Sequence, residues 1–274
     1  MLISQALCLY PQNNIMSKDV TTELIKELRD ATSISVMQCK NALEEAGGDM
    51  QKALAILKKT SSDIALKKAG RDAKDGRIAI KTDGKKSVLV ALHCETDFVS
   101  RNEDFVNLLS NLTEKAFTEG IEKMKEKAKD MIDLVIQKTG EKIELGDVYE
   151  VKGDVLGNYV HNNKAGVIVS LEGGNEELAK DIAMHITAMR PEYLSREEIT
   201  EEVKNTMNEI FMKEIAEINK PEEIKKKMLE GKINTYFKEK TLLDQAFIKN
   251  GEETINQLLD KNKAKIKEVK RYSI

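Results

Sequence analysis

The residues equipped for chemistry crowd into one short string: His93, Cys94, Glu95, Thr96, Asp97 and Phe98. An imidazole beside a thiol suggests a base and a nucleophile, and His93 with Glu95 copies the H-x-E of zinc deaminases. Both readings fail on spacing. No P-C-x-x-C follows to complete a zinc cage. The apolar run 88–92 reads as a strand, where adjacent side chains point to opposite faces, so His93 and Cys94 cannot share the hydrogen bond a nucleophile needs. Neither a G-x-x-x-x-G-K-S/T loop nor G-x-G-x-x-G occurs. The chain is therefore expected to hold no nucleotide, metal or cofactor of its own and not to be an enzyme. A thiol enzyme built on Cys94 is the competing reading, and it requires that Cys94→Ala abolish turnover.

The elements around the string point elsewhere. Glu95, Thr96 and Asp97 end the strand, and Phe98 and Val99 then place apolar side chains where a turn should be polar. Ser100 with Glu103 reads as a capping box opening a helix to about residue 118, with Phe105, Leu108, Leu109 and Leu112 on one face. Asp97 and Phe98 thus sit on a strand-to-helix turn. Phe98 either folds back as a staple on its own helix or stays free for a partner. An internal comparison favours the second. VLVAL at 88–92 reaches Asn102 through nine residues, whereas VIVSL at 167–171 reaches Asn175 through only Glu172, Gly173 and Gly174. A feature found in one copy of a repeated plan and missing from the other is unlikely to serve folding.

HCETDFVSRNEDF, preceded by KKAGRDAKDGRIAI at 67–80, resembles the elongation factor Ts family, bacterial nucleotide exchange factors of elongation factor Tu. The family's hallmark Thr-Asp-Phe-Val turn is here Thr96, Asp97, Phe98 and Val99. The resemblance implies an α+β fold: a three-helix bundle like a ubiquitin-associated module, then two repeated antiparallel-sheet-plus-helix subdomains with a coiled-coil insertion. It implies that the turn meets elongation factor Tu near its Mg²⁺ and phosphate site and promotes GDP release so that GTP can rebind. Val36, Met37, Tyr159, His161, Phe247 and Ile248 are the further partner positions it suggests. Ser33 and Ser35 depart from it, standing where the family usually has glycines. The implied partner is elongation factor Tu, GDP-bound or nucleotide-free, with a homodimer or 2:2 complex left open. A generic protein-interaction scaffold without exchange activity is the alternative; it requires residues 16–60 alone to reproduce the affinity.

Composition fits an ordinary soluble chain: 274 residues, 41% apolar, 33% charged, net charge −3. Lysine clusters such as Lys58, Lys59, Lys67 and Lys68 are interleaved with acids, which argues against a phosphate-tracking stripe, so no nucleic acid is expected. Cys8, Cys39 and Cys94 are far apart and lack metal spacing, pointing to a reducing cytoplasm. Residues 1–15 form no membrane span and no secretory signal; they are expected to be disordered or foreign to the natural protein, which would start at Met16.

Along the chain, residues 16–60 carry three amphipathic helical patterns, with Ser35 and Asp49 as caps and Gly47 as a stop. A polar linker is expected at 61–75. Subdomain N takes 76–146, with an Asp83-Gly84 hairpin and helices ended by Gly120 and Gly140. Subdomain C takes 147–193 and 242–274: a hairpin of 148–159 with 166–171, a helix at 176–189 carrying a structural His185, a helix at 253–261 and a closing strand to Ile274, with no helical tail expected beyond. Residues 194–241, very charged with a narrow apolar seam, read as a two-helix arm.

Overall fold

The computed structural model describes residues 20–32 and 34–274. The leader 1–15, the start at Met16, Cys8 and Ser33 lie outside the described residues. In chain order the elements are α1 (Thr22–Thr32), α2 (Val36–Glu45), α3 (Met50–Lys68), β1 (Asp75–Thr82), β2 (Lys86–Cys94), α4 (Asp97–Arg101), α5 (Glu103–Glu119) and α6 (Ile121–Thr139). Then come β3 (Ile143–Lys152), β4 (Val155–His161), β5 (Ala165–Glu172), α7 (Glu176–Met189), α8 (Glu201–Ala216) and α9 (Glu222–Lys240). The chain closes with β6 (Ala246–Phe247), β7 (Asn250–Thr254), α10 (Ile255–Lys261) and β8 (Lys265–Ser273). Helices with small antiparallel sheets make the class α+β. The described residues divide into two compact units, those up to Gly70 with 130–141 and residues 71–129 with 142–274.

In the first unit, α1, α2 and α3 enclose Leu28, Ile34, Cys39, Ala42, Leu43, Ala53 and Leu57. The caps are those expected. Ser35 Oγ accepts from Gln38 N at 3.3 Å, Asp49 Oδ1 accepts from Gln51 N and Lys52 N at 2.9 and 3.0 Å, and Gly47 takes φ 63° between α2 and α3. The linker expected at 61–75 is corrected: α3 runs on to Lys68. Its polar residues are used rather than solvated. Ser61 meets Gln137, Ser62 Oγ donates to Asp133 Oδ2 at 2.8 Å, and Lys68 Nζ donates to Gly140 O, all on the segment 130–141 that completes this unit. Sequence periodicity cannot show that a polar helix face has a polar partner seventy residues away.

The second unit holds two three-stranded sheets, ordered β1-β2-β3 and β4-β5-β8. They share a core of Ile78, Leu89, Ala91, Val151, Leu156 and Ile168. α5 packs on β1 and β2, and α7 packs on β4 and β5. β2 is therefore covered on both faces, which explains its unbroken apolar run. The hairpin expected from 148–159 is corrected. Residues up to Lys152 belong to β3, paired with β2, and only Val155–His161 pair with β5, so the division expected between 146 and 147 falls inside a strand. Gly153 makes the break: its N–H donates to Lys85 O at 3.0 Å, and a Cβ there would lie 2.3 Å from Ser170 Oγ. The helix expected from residue 253 begins at Ile255, because Thr254 forms a capping box with Gln257. Within residues 194–241, α8 and α9 pack together over Phe211, Ile215 and Phe237, while Ile210, Ile224 and Met228 are exposed.

Candidate functional site

β2 delivers the string His93–Phe98. His93 and Cys94 do point apart: His93 Nε2 and Tyr272 Oη are 2.8 Å apart, while the buried Cys94 Sγ donates to Thr96 O at 3.2 Å. Among the described residues no cluster of His, Cys, Asp and Glu suits a metal ion.

The helix start differs from the expected Ser100–Glu103 box. Thr96 is itself an N-cap, accepting from Val99 N at 3.4 Å, and Asp97–Arg101 form a one-turn helix, α4. Asn102 then caps α5 with Oδ1 accepting from Asp104 N at 2.8 Å. The signal was present in the sequence, since Thr followed by Asp is an N-cap with an acid in the first turn. Ser100 is buried, its Oγ donating to Asp97 O at 3.0 Å, so the short helix is pinned from within. Phe98 points the other way and is 82% exposed, which rules out the staple. Thr96, Asp97 and Val99 are half-buried beside it. Asp97 is paired with Arg101 at 3.1 Å.

Glu95 in a role the sequence did not suggest, and two residues it did not single out, Asp75 and Lys164, hold this turn. Glu95 accepts from Lys142 N at 2.6 Å and from the Arg71 guanidinium at 3.2 Å. Asp75, at the start of β1, takes Lys164 Nζ at 2.6 Å. Burial works to raise the Asp75 carboxyl, but Lys164, the nearby Ser100 hydroxyl and the Gly76 N–H outweigh it and leave its pKa below the ordinary value. Lys164 also donates to Gly76 O at 2.7 Å, and Ile78 N donates to Asn163 O at 2.8 Å. The β4–β5 turn is thereby bonded to β1. Asn162 and Asn163 both have positive φ, 49° and 57°, in the three-residue connection 162–164, which is closed by Lys164 N donating to His161 O at 2.9 Å. His161 stands at its edge with Nδ1 3.2 Å from Tyr159 Oη.

Ile248 is 47% exposed, whereas Phe247 is only 6% exposed and belongs to the core under α7, so the structure presents the first and withdraws the second. His185 is the structural histidine expected. Its Nδ1 accepts from Ile248 N at 3.2 Å, and Nε2 lies 2.9 Å from Gln245 Oε1. In the first unit, Val36 and Met37 open α2 at 51% and 65% exposure.

A firmly capped turn with one bare aromatic ring, beside a cysteine sealed in the core, is a surface suited to contact with another macromolecule. The family model described as Elongation factor TS matches residues 95–274. Elongation factor Ts of Hahella chejuensis is 38% identical over 262 residues, 93% of this chain and 92% of that protein. Elongation factor Ts of Pseudomonas syringae pv. tomato is 40% identical over 253 residues, 90% and 88% of the two chains. The chain belongs to the elongation factor Ts family. Among the described residues no helix is long and apolar enough to cross a membrane.

Proposed function

We propose that this protein is the guanine nucleotide exchange factor of elongation factor Tu, and that α4 is the part that dislodges GDP. Family membership supports the activity, and the 82% exposure of Phe98 on a doubly capped turn carries the mechanism. The ring is held out of its own core. Burying it between elements of the partner gains apolar contact, and that gain offsets the work of displacing them. Displacing them disturbs the partner's Mg²⁺ and phosphate loop, its main electrostatic hold on GDP. Asp97 plays the lesser part, because Arg101 already neutralises it in the free protein. The three-helix bundle, read as ubiquitin-associated-like, docks through Val36 and Met37; Tyr159, His161 and Ile248 add contacts from the second unit, and residues 194–241 act as a coiled-coil arm. GDP-bound and nucleotide-free elongation factor Tu are both bound, the second more tightly, in the cytoplasm.

The test is thermodynamic. If the protein favours a partner state with a broken phosphate site, it and GDP weaken each other's binding by the same factor. A titration of elongation factor Tu at several fixed GDP concentrations should show affinity falling as GDP rises, more steeply with added Mg²⁺. An affinity that stays constant across saturating GDP would mean simple docking.

A further inference from the structure

β8 of the β4-β5-β8 sheet carries one cation, Arg271, and the residue that ends α7, the helix packed on that sheet, is another, Arg190. Arg271 on β8 faces Val167 on β5, which faces Tyr159 on β4, so the three form one row across the sheet. Residues directly opposite share a face. Val167 and Tyr159 both pack into the cluster under α7, so Arg271 lies on that face as well. α7 runs along it, with Ala179 and Lys180 over Gly157. Past its end comes Arg190, at φ 51°. Glycine ordinarily takes that left-handed position, so the backbone accepts a strained conformation and carries a guanidinium there. α7 follows β5 directly and runs back along it, so its last turn lies toward the row of Tyr159, Val167 and Arg271, and burial first, with the charge of Arg190 second, pushes the Arg271 guanidinium below its ordinary pKa.

Like charges brought together repel unless an anion joins them. The chain has acids to spare, 47 against 44 lysines and arginines, and of its seven arginines Arg71, Arg101 and Arg196 take carboxylates. Among the described residues neither Arg190 nor Arg271 does so, and Arg271 Nε is buried with no hydrogen-bond partner. A buried donor left unmade is an expensive feature that calls for a missing acceptor.

We propose that Arg190 and Arg271 form a clamp for a carboxylate, supplied by an acidic side chain of the partner protein that docks beside Tyr159 and His161. Guanidinium forks match a planar carboxylate through paired N–H donors, which a lysine cannot do. The inference rests on the exchange-factor reading, which assigns Tyr159 and His161 to the partner. A phosphate offers the same oxyanion chemistry. A nucleic-acid backbone calls for a stripe of cations, and one isolated pair on a chain of net charge −3 does not supply it.

The experiment compares Arg271→Gln, Arg190→Gln, the double variant, and Arg190→Gly, which keeps the left-handed turn. Affinity for nucleotide-free elongation factor Tu is measured at several salt concentrations, and thermal unfolding of each free protein with and without inorganic phosphate. Each single change should weaken partner binding about tenfold, as for loss of a charge-assisted hydrogen bond. The double variant should lose less than the product, its salt dependence should flatten, and no free variant should melt lower than the original. Unchanged affinity with a lower melting temperature would make the pair structural. Phosphate that stabilises only the unsubstituted protein, with partner affinity equal throughout, would make it a small-anion site. Normal binding by the variants sinks this inference alone, whereas failure of the unsubstituted chain to bind elongation factor Tu sinks the exchange-factor reading with it.

Discussion

Replacing Phe98 with alanine separates the turn's work on the partner from its place in the fold. A phenylalanine side chain offers about 150–250 Å², and 82% of this residue's surface is open. Covering that area in the partner returns about 3–5 kcal/mol at 25 cal/mol/Å². Ordering the ring and imperfect burial reduce the net to about 2 kcal/mol, near thirtyfold in affinity. The fold should not notice. α4 keeps Thr96 as its cap and Ser100 as its buried anchor, so stability should move by no more than about 0.5 kcal/mol, as at other surface positions. Stopped-flow release of fluorescent GDP from elongation factor Tu reads the first quantity, and thermal unfolding reads the second. A well-folded Phe98→Ala protein that releases GDP at the original rate would remove the wedge from the mechanism. Asp97→Ala should give a smaller defect in the same assay.

Other perturbations test the scaffold. Gly157→Ala should cost about 1–3 kcal/mol of stability in a denaturant titration, because its Cβ would fall 2.1 Å from the Ala179 backbone; a neutral result would refute so close an approach of β4 and α7. Deleting residues 201–239 and bridging with a Gly-Ser linker should leave a cooperative thermal transition and measurable exchange, since the arm's base is tied separately by Glu192 N and Tyr193 N to Lys240 O and by Leu242 N to Tyr193 O; loss of cooperativity would make the arm integral. His185 is neutral in the fold, with burial lowering its pKa against the opposing pull of Gln245. The unfolded chain then binds the extra proton, so this contribution to stability is complete above the ordinary histidine value of about 6.5 and is lost as pH falls through it. Melting curves between pH 8 and 5.5 should show that loss in the original protein and a shallower one in His185→Gln; parallel curves would exclude His185 as its source.

What the sequence disclosed was whatever depends on local pattern. Caps at Ser35 and Asp49, stops at Gly47, Gly120 and Gly140, and the bounds of α7 all follow from side-chain chemistry within a few residues. The exposed Phe98 was legible for another reason, as an apolar residue out of place in a turn and absent from the second copy of the plan. The errors have one cause. Whether 148–152 joins the strand before it or the strand after it depends on β2, more than fifty residues upstream, and whether Ser61–Lys68 is helix or linker depends on acceptors at 130–141. Asp75 and Lys164, and the anchoring role of Glu95, escaped notice because each acts by reaching a segment remote in sequence. Phe247 and Ile248 are neighbours with equal hydropathic claim to the surface, and only the packing of α7 decides between them.

The bonds from Lys164 to Asp75 and Gly76, and from Ile78 to Asn163, join β1, the strand paired with the one that leads into α4, to the hairpin that carries His161. Two presenting elements so joined do not search for their sites independently. In the mechanism proposed above, once Phe98 has seated, His161 would already be at a fixed offset, and its contact would add to the first at a high effective concentration with little further loss of freedom. The converse is a constraint on change. Neither element can drift to suit an altered partner without carrying the other, so a substitution at Lys164, although it touches no partner atom, would be felt at both.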